Sequence, residues 1–272
     1  MSTHVIYSDL DGSLLDHDSY SHAPADSLLE DLEEAGIPVV PCTSKTRTEV
    51  LPLRAELNNR HPFVFENGAA VAIPHDYFEH KPEGSRSKGE FWIRAFTLPH
   101  EHWHSLLRNA ASDFSADFKG FSDMSDAEIA ELTGLTEEQA RLAGQREFGE
   151  PIHWSGSAEK LEIFVDKLQQ AGAVILRGGR FIHVSGRSDK GQALKWLNTQ
   201  YAIQGKGKAP VSIAAGDSQN DVAMLEAADR ALLIRSPAHP LPRTNRKDHL
   251  YCSTATGPTG WVEGIKHFLP TL

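Results

Sequence analysis

Cysteine is scarce in this sequence: Cys42 and Cys252 are the two in 272 residues, with no Cys-x-x-Cys spacing. Such usage excludes a disulfide framework and a thiolate zinc site, and leaves at most one disulfide. Positive charge is also short, with 27 Lys and Arg against 37 Asp and Glu and a formal net charge of -10. A general nucleic-acid binder needs a basic footprint for the phosphate backbone, so no nucleic-acid partner is expected. No apolar stretch approaches the roughly 20 residues that cross a bilayer, so no membrane partner is expected either. The opening "MSTHVIYSDLDG" lacks the basic and apolar blocks of a signal peptide, and the expected location is the cytoplasm. What is present is 40% apolar and 24% charged residues, the make-up of an ordinary globule. The length suits one large domain or a domain carrying a sizeable insertion.

Residues 4–9, "HVIYSD", read as a buried strand. A helix is expected over 24–35, with Pro24 early, Leu28, Leu29 and Leu32 as its apolar stripe, and Gly36 as its stop. "IPVVPC" is a second strand, "TRTEVLPLRAELNN" a helix kinked near Pro52, and "FVFENGAAVAIP" two strands about the turn-prone Asn67-Gly68. Strand and helix thus alternate, the sign of a parallel sheet covered by helices. The polar "HDYFEHKPEGSRSKGE" reads as a linker or hinge. Beyond it, strands at "FWIRAFTL" and "EPIHWS", helices at "PHEHWHSLLRNAASDF", "SDAEIAELTG", "TEEQARLAG" and "AEKLEIFVDKLQQAG", and a hairpin around Gly178-Gly179 suggest a compact α+β insertion over 85–187. Alternation resumes from Lys190, with the strands "PVSIAAGD" and "ALLI" and the helices "GQALKWLNTQYA" and "DVAMLEAA".

Chemistry gathers where strands end. "YSDLDGSLLD" sets Asp9 and Asp11 two residues apart at the end of the first strand, and "IAAGDSQND" sets Asp217 and Asp221 just past another. In an open α/β sheet, ligands collect outside the carboxyl ends of the strands, so these four carboxylates converge if the two strands are neighbours. A hard cation with oxygen ligands, Mg2+ foremost, would offset their repulsion. "PCTSKT" offers the Thr43 and Ser44 hydroxyls where the next helix is expected to begin, a place for an anion. Lys190 in "SGRSDKG" opens a helix, and its ammonium suits a phosphoryl oxygen or a nearby aspartate.

These four motifs, DxDG[ST], a Thr/Ser after the second strand, a helix-opening Lys and GDSxND, resemble those of the haloacid dehalogenase-like phosphatases. Within them, "PCTSKTRTEV", "FENGAAV", "QREFGEP" and "GGRFIHV" resemble the mannosyl-3-phosphoglycerate phosphatase family. The resemblance implies an α/β fold: a Rossmann-like parallel sheet core, residues 1–84 and 188–272, with an inserted α+β cap domain of the C2 type over 85–187 that sets substrate specificity. It implies a Mg2+-dependent phosphatase of a small phosphorylated sugar acid, 3-phosphoglycerate linked to a mannosyl or glucosyl unit. Asp9 would be the nucleophile, Asp11 the general acid and then base, and Thr43 and Lys190 the groups gripping the phosphoryl oxygens. The metal would be held by Asp9, the backbone carbonyl of Asp11 and Asp217, with Asp221 orienting metal-bound water or Lys190. Ser44, Lys45, Arg177, Arg180 and His183 would contact the substrate, with Thr43 and Ser44 alternatives for the main phosphate contact.

Plainer readings stand beside these. Asp9 and Asp11 could cap a turn; an EF-hand is excluded, because its glycine belongs at loop position 6 and Gly12 would be at 4. Asp217 and Asp221 could be acids at a helix N-terminus, Thr43 an N-cap, and Lys190 a solvated charge. Arg177, Arg180 and His183 could be surface residues about a turn, and Arg146 with Glu147 a helix-end ion pair. His100, His102 and His104 alternate, but i and i+2 do not share a helix face, so a solvated first turn is expected rather than a metal cluster. Trp92, Trp103 and Trp154 are expected in the core of the insertion. Competing functions are a general sugar-phosphate phosphatase, a phosphomutase, and a non-catalytic regulatory module; the filled carboxylate positions argue against the last.

Overall fold

The structure, a computed structural model, describes residues 3–177, 181–205 and 207–272. In chain order the first elements are β1 (His4–Ser8), α1 (Asp26–Glu34), β2 (Val39–Pro41), α2 (Arg47–Glu56), β3 (Phe63–Phe65), β4 (Ala70–Pro74), β5 (Arg86–Lys88) and β6 (Phe91–Ala95). There follow α3 (His100–Ala110), β7 (Phe118–Gly120), α4 (Asp126–Thr133), α5 (Glu137–Ala143), β8 (Glu150–Trp154), α6 (Ala158–Gln170), β9 (Val174–Arg177) and β10 (Ile182–Ser185). The chain closes with α7 (Lys190–Gln204), β11 (Val211–Gly216), α8 (Val222–Ala227), β12 (Arg230–Arg235), β13 (Leu250–Thr256) and α9 (Gly257–Phe268). Contacts divide it into two compact units, one of Met1–Ser44, Asn59–Arg94 and Asp189–Leu272, the other of Lys45–Asn58 and Ala95–Ser188.

The first unit is built on a five-stranded parallel sheet in the order β13-β12-β11-β1-β2. β1 lies between β11 and β2, with Ile6 opposite both Ile213 and Val39. Val5, Ile6 and Tyr7 are fully buried, as expected of a parallel strand covered on both faces. A bridge between Cys42 and Val64 brings β3 alongside, and β3 begins a second sheet in the order β3-β4-β6-β5. The expected linker over 75–90 therefore contains a strand: Arg86 and Lys88 of β5 pair with Ile93 and Phe91. All three β5 side chains are exposed, so this edge strand carries no apolar pattern to announce it. Trp92, expected in the insertion, lies on this hairpin beside His75.

At the far end of the chain, β13 forms the sheet edge and α9 packs its Trp261 into the core. The indole donates to Ser8 Oγ at 2.9 Å, and Ser8 Oγ donates to the Asp9 carbonyl at 2.7 Å. The last helix thereby braces the end of the first strand.

The second unit carries an antiparallel sheet, β7-β8-β10-β9. Trp103 and Leu107 of α3 and Phe164 and Leu168 of α6 pack with Ile152, Ile182 and Val184 into its core. Strand alternation sends Ile182 and Val184 into that core and His183 to the opposite face. The turn at Gly178-Gly179 and Arg180 lies outside the described residues. Among the described residues, no helix is long and apolar enough to cross a membrane.

Candidate active site

The sheet order settles what meets at its carboxyl edge. Asp9 follows β1, and its N–H still bonds the Ala215 carbonyl of β11 at 2.9 Å. Asp217 follows β11, so the two acid loops leave adjacent strands side by side. Each needs a glycine to do so. Gly12 has φ +79°, and a Cβ there would stand 2.6 Å from Asp217 Oδ2. At Gly216 a Cβ would stand 2.5 Å from the Cβ of Asp221.

Asp9, Asp217 and Asp221, all buried, offer carboxylate oxygens within 4.8 Å of one another, the one such group of metal-ligating side chains among the described residues. Lys190, the first residue of α7 and fully buried, donates from Nζ to Asp9 Oδ1 and to Asp221 Oδ1, both at 2.6 Å. Asp189 caps that helix by accepting from Gln192 N–H at 2.7 Å, so the lysine's place is set by the helix start itself. The other oxygen of Asp221 accepts from the N–H groups of Asp217 and Ser218, at 3.1 and 3.0 Å, and from Ser218 Oγ at 3.2 Å. Asp221 is therefore committed to the lysine and to its own loop, and Asp9 and Asp217 are the better oxygen donors for a cation. The Asp11 carboxylate is not among the three grouped side chains.

Charge at this site is out of balance. Burial and then the Asp221 charge push the Asp9 carboxyl well above the usual carboxylate range, against the pull of Lys190. Asp217 is raised by burial and then by Asp221. For Lys190 burial opposes the charge, but the two carboxylates prevail and hold its pKa above the ordinary lysine value. One ammonium faces three buried carboxylates. A further hard cation on oxygen donors fits that deficit, and it would favour the ionised form of Asp9 that a nucleophile requires.

Thr43 is buried just past β2, tied by its N–H to the Val64 carbonyl at 3.0 Å and by its carbonyl to Asn67 N–H at 2.9 Å. The helix expected to open there begins later. Thr46 is the N-cap of α2, in a capping box in which it accepts from Glu49 N–H at 3.2 Å while its own N–H donates to Glu49 Oε2 at 2.7 Å. Neither Thr43 nor Ser44 caps the helix. Ser44 closes the first segment of one unit, and Lys45 belongs to the other, with α2.

Three contributors escaped the sequence reading. Glu66, Asn67 and Gly68 all have positive φ, and Asn67 Oδ1 accepts from Asn220 Nδ2 at 3.0 Å. A Cβ on Gly68 would collide with the backbone of Asp189, so this turn packs against the start of α7 as well as linking two strands. His239, on the loop after β12, puts Nε2 3.2 Å from Asp217 Oδ2. Asn67 and Asn220 lay within quoted motifs. His239 had no local signal.

In the second unit, His183 is largely buried. Burial and then the Arg146 guanidinium lower its pKa to about 4, so it is a neutral hydrogen-bonding group at pH 7. Arg177 makes an exposed ion pair with Glu162 at 2.8 Å. Glu147 pairs with Arg47 at 2.6 Å. Nor is the first turn of α3 merely solvated: His100 Nε2 lies 2.7 Å from the buried Glu150 Oε2, and His100 and His104, at i and i+4, stack at 5.9 Å. Ser122 Oγ lies 3.0 Å from the same His100 nitrogen. A hydrolytic triad needs the acid and the serine on opposite ring nitrogens, so this cluster has no relay.

Residues 6–90 match the family haloacid dehalogenase-like hydrolase, and residues 153–269 match sucrose-6F-phosphate phosphohydrolase. Over 262 residues the chain is 33% identical to a glucosyl-3-phosphoglycerate/mannosyl-3-phosphoglycerate phosphatase of Methanococcoides burtonii, with 96% of each chain covered. The sucrose-phosphatase of Synechocystis, solved with sucrose and phosphate, has a TM-score of 0.62 at 16% identity, with 98% of each chain covered. A phosphatase of the haloalkanoate superfamily from Bacteroides thetaiotaomicron has a TM-score of 0.67 at 16% identity, over 98% of this chain and 95% of that one. The structural likenesses show the shared fold, and the full-length identity shows the family. The chain belongs to the haloacid dehalogenase-like phosphatase superfamily and is a phosphoric monoester hydrolase resembling the mannosyl-3-phosphoglycerate phosphatases.

Proposed function

We propose that this phosphatase hydrolyses a phosphorylated sugar acid, mannosyl-3-phosphoglycerate or glucosyl-3-phosphoglycerate, with Mg2+ as its cofactor. The observation that carries this reading is the 33% identity to the Methanococcoides burtonii phosphatase along 96% of both chains. Asp9 attacks phosphorus and the bond to the glycerate oxygen breaks, that oxygen taking a proton from Asp11. Asp11 then draws a proton from water, which cleaves the aspartyl-phosphate, releases phosphate and restores Asp9. Lys190 holds Asp9 in position and offsets part of the charge there, and Thr43 or Ser44 steadies the phosphoryl oxygens. Asp9, Asp217 and the Asp11 backbone would hold Mg2+, which when bound supplies positive charge for the phosphoryl group.

We assign the choice of organic group to the second unit, with Arg180 as the candidate for the substrate carboxylate, since planar bidentate recognition of a carboxylate favours arginine. Losing one charge-assisted contact costs about 1.5–3 kcal/mol, so Arg180→Ala should lower kcat/KM for the sugar acid about ten- to a hundredfold. It should leave p-nitrophenyl phosphate, which has no carboxylate, nearly unaffected.

A second reading, a general sugar-phosphate phosphatase, is favoured by the match of residues 153–269 to sucrose-6F-phosphate phosphohydrolase. A substrate panel separates the two. Under the first, both glycosyl-3-phosphoglycerates exceed hexose 6-phosphates in kcat/KM by at least about tenfold. Equal values across the panel favour the second. Activity that survives complete chelation with EDTA would remove Mg2+ from either reading.

A further inference from the structure

We propose that His239 is a positioning residue for Asp217, a role that rests on the metal reading of the acid cluster. On the loop after β12, its neighbours Pro237, Ala238 and Pro240 are exposed, while His239 turns inward. Two acceptors face its ring, and the tautomer with hydrogen on Nε2 donates to Asp217. Nε2 lies 3.2 Å from Asp217 Oδ2, and Nδ1 lies 3.2 Å from the Pro240 carbonyl.

Asp217 is confined on other sides as well. Its backbone N–H is held by Asp221, and Gly12 comes so close that any Cβ there would stand 2.6 Å from Oδ2. The imidazole meets that same oxygen, so a single carboxylate rotamer is selected by a glycine and a histidine from two different loops. A hydrogen bond to one oxygen of a carboxylate directs the other toward a cation, and losing such a support commonly weakens metal binding about 10- to 100-fold.

Mn2+ serves as the probe, its binding to the full chain followed by calorimetry and by the loss of its free paramagnetic resonance signal. Four proteins are compared: wild type, Asp217→Asn, His239→Ala and His239→Gln, the last keeping an N–H donor near the position of Nε2. Wild type is expected to bind one Mn2+, and Asp217→Asn to lose it. His239→Ala should weaken binding about tenfold, and His239→Gln should stay within about threefold of wild type. The His239 side chain is 36% exposed, so the two metal-free His239 variants should melt with wild type. Affinity in His239→Ala equal to or tighter than wild type would overturn the role, as would a Gln variant as weak as the Ala variant. If wild type itself binds no Mn2+, the metal reading fails. Equal binding by wild type and His239→Ala fails this inference alone.

Discussion

Lys190 Nζ lies 2.6 Å from Asp9 Oδ1, across 181 residues of chain. The contact joins the end of the first strand to the first residue of α7, and it places the one ammonium of the cluster against the expected nucleophile. A second bond of equal length reaches Asp221. The lysine thus has two duties: it restrains Asp9, and it offsets charge that burial would otherwise make costly.

Removing that ammonium should therefore be expensive. Breaking a buried ion pair by deleting one partner costs about 3–5 kcal/mol, and Lys190→Met should lose stability of that order in urea unfolding at pH 7. The loss should shrink as pH falls. The Asp9 and Asp217 pKa values are already raised, so both carboxyls take up protons readily as pH falls and no longer need the cation.

Asp9→Asn should lower kcat by at least about a thousandfold, because an amide oxygen does not form the acyl-phosphate. Circular dichroism should show the fold retained. A variant with a tenth of wild-type turnover would take the nucleophile role from Asp9.

His183 makes stability depend on acid. Its pKa is about 4 in the fold, against an ordinary value of 6.5, so the unfolded chain binds the extra proton first as pH falls. The stabilisation is complete above pH 6.5 and is lost between 6.5 and about 4. Between pH 7 and 4.5 wild type should lose about 2 kcal/mol more than His183→Gln in urea unfolding. Parallel losses would mean that the imidazole takes up its proton alike in the folded and unfolded chains.

The two thiols should differ in reactivity. Cys42 is fully buried, and burial pushes its thiol far above the ordinary range, while Cys252 is exposed on β13. A disulfide-exchange reagent should label one thiol per native chain and two per denatured chain.

Much of this was legible locally. "HVIYSD" is apolar enough to be a buried parallel strand, and a glycine beside each acid pair marks a loop that must turn sharply. The lysine of "SDKG" has a capping aspartate before it, which already points to a helix start. Such signals are read within a few residues, because strand and helix periods are short-range properties. Family resemblance then suggested the roles, and the full-length identity shows the family.

Other elements gave no readable pattern. β5 exposes all three of its side chains, and α9 opens "GPTG", a start that conceals a helix. β13, an edge strand of "LYCSTAT", buries little on its own.

The sequence by itself determined the chemistry available: two acid pairs, a lysine and hydroxyls, each set at the end of an element that its own residues dictate. Only the tertiary structure decided which of them meet. The order β13-β12-β11-β1-β2 makes the first strand and the eleventh neighbours, so Asp9 and Asp217 share one sheet edge. It also brings Trp261 to Ser8, 253 residues away, and His239 to Asp217. Local periodicity specifies an element and its buried face, but not the neighbour that covers that face. That choice is made when the whole core excludes water at once, and with it come the spent oxygens of Asp221 and the constrained carboxylate of Asp217.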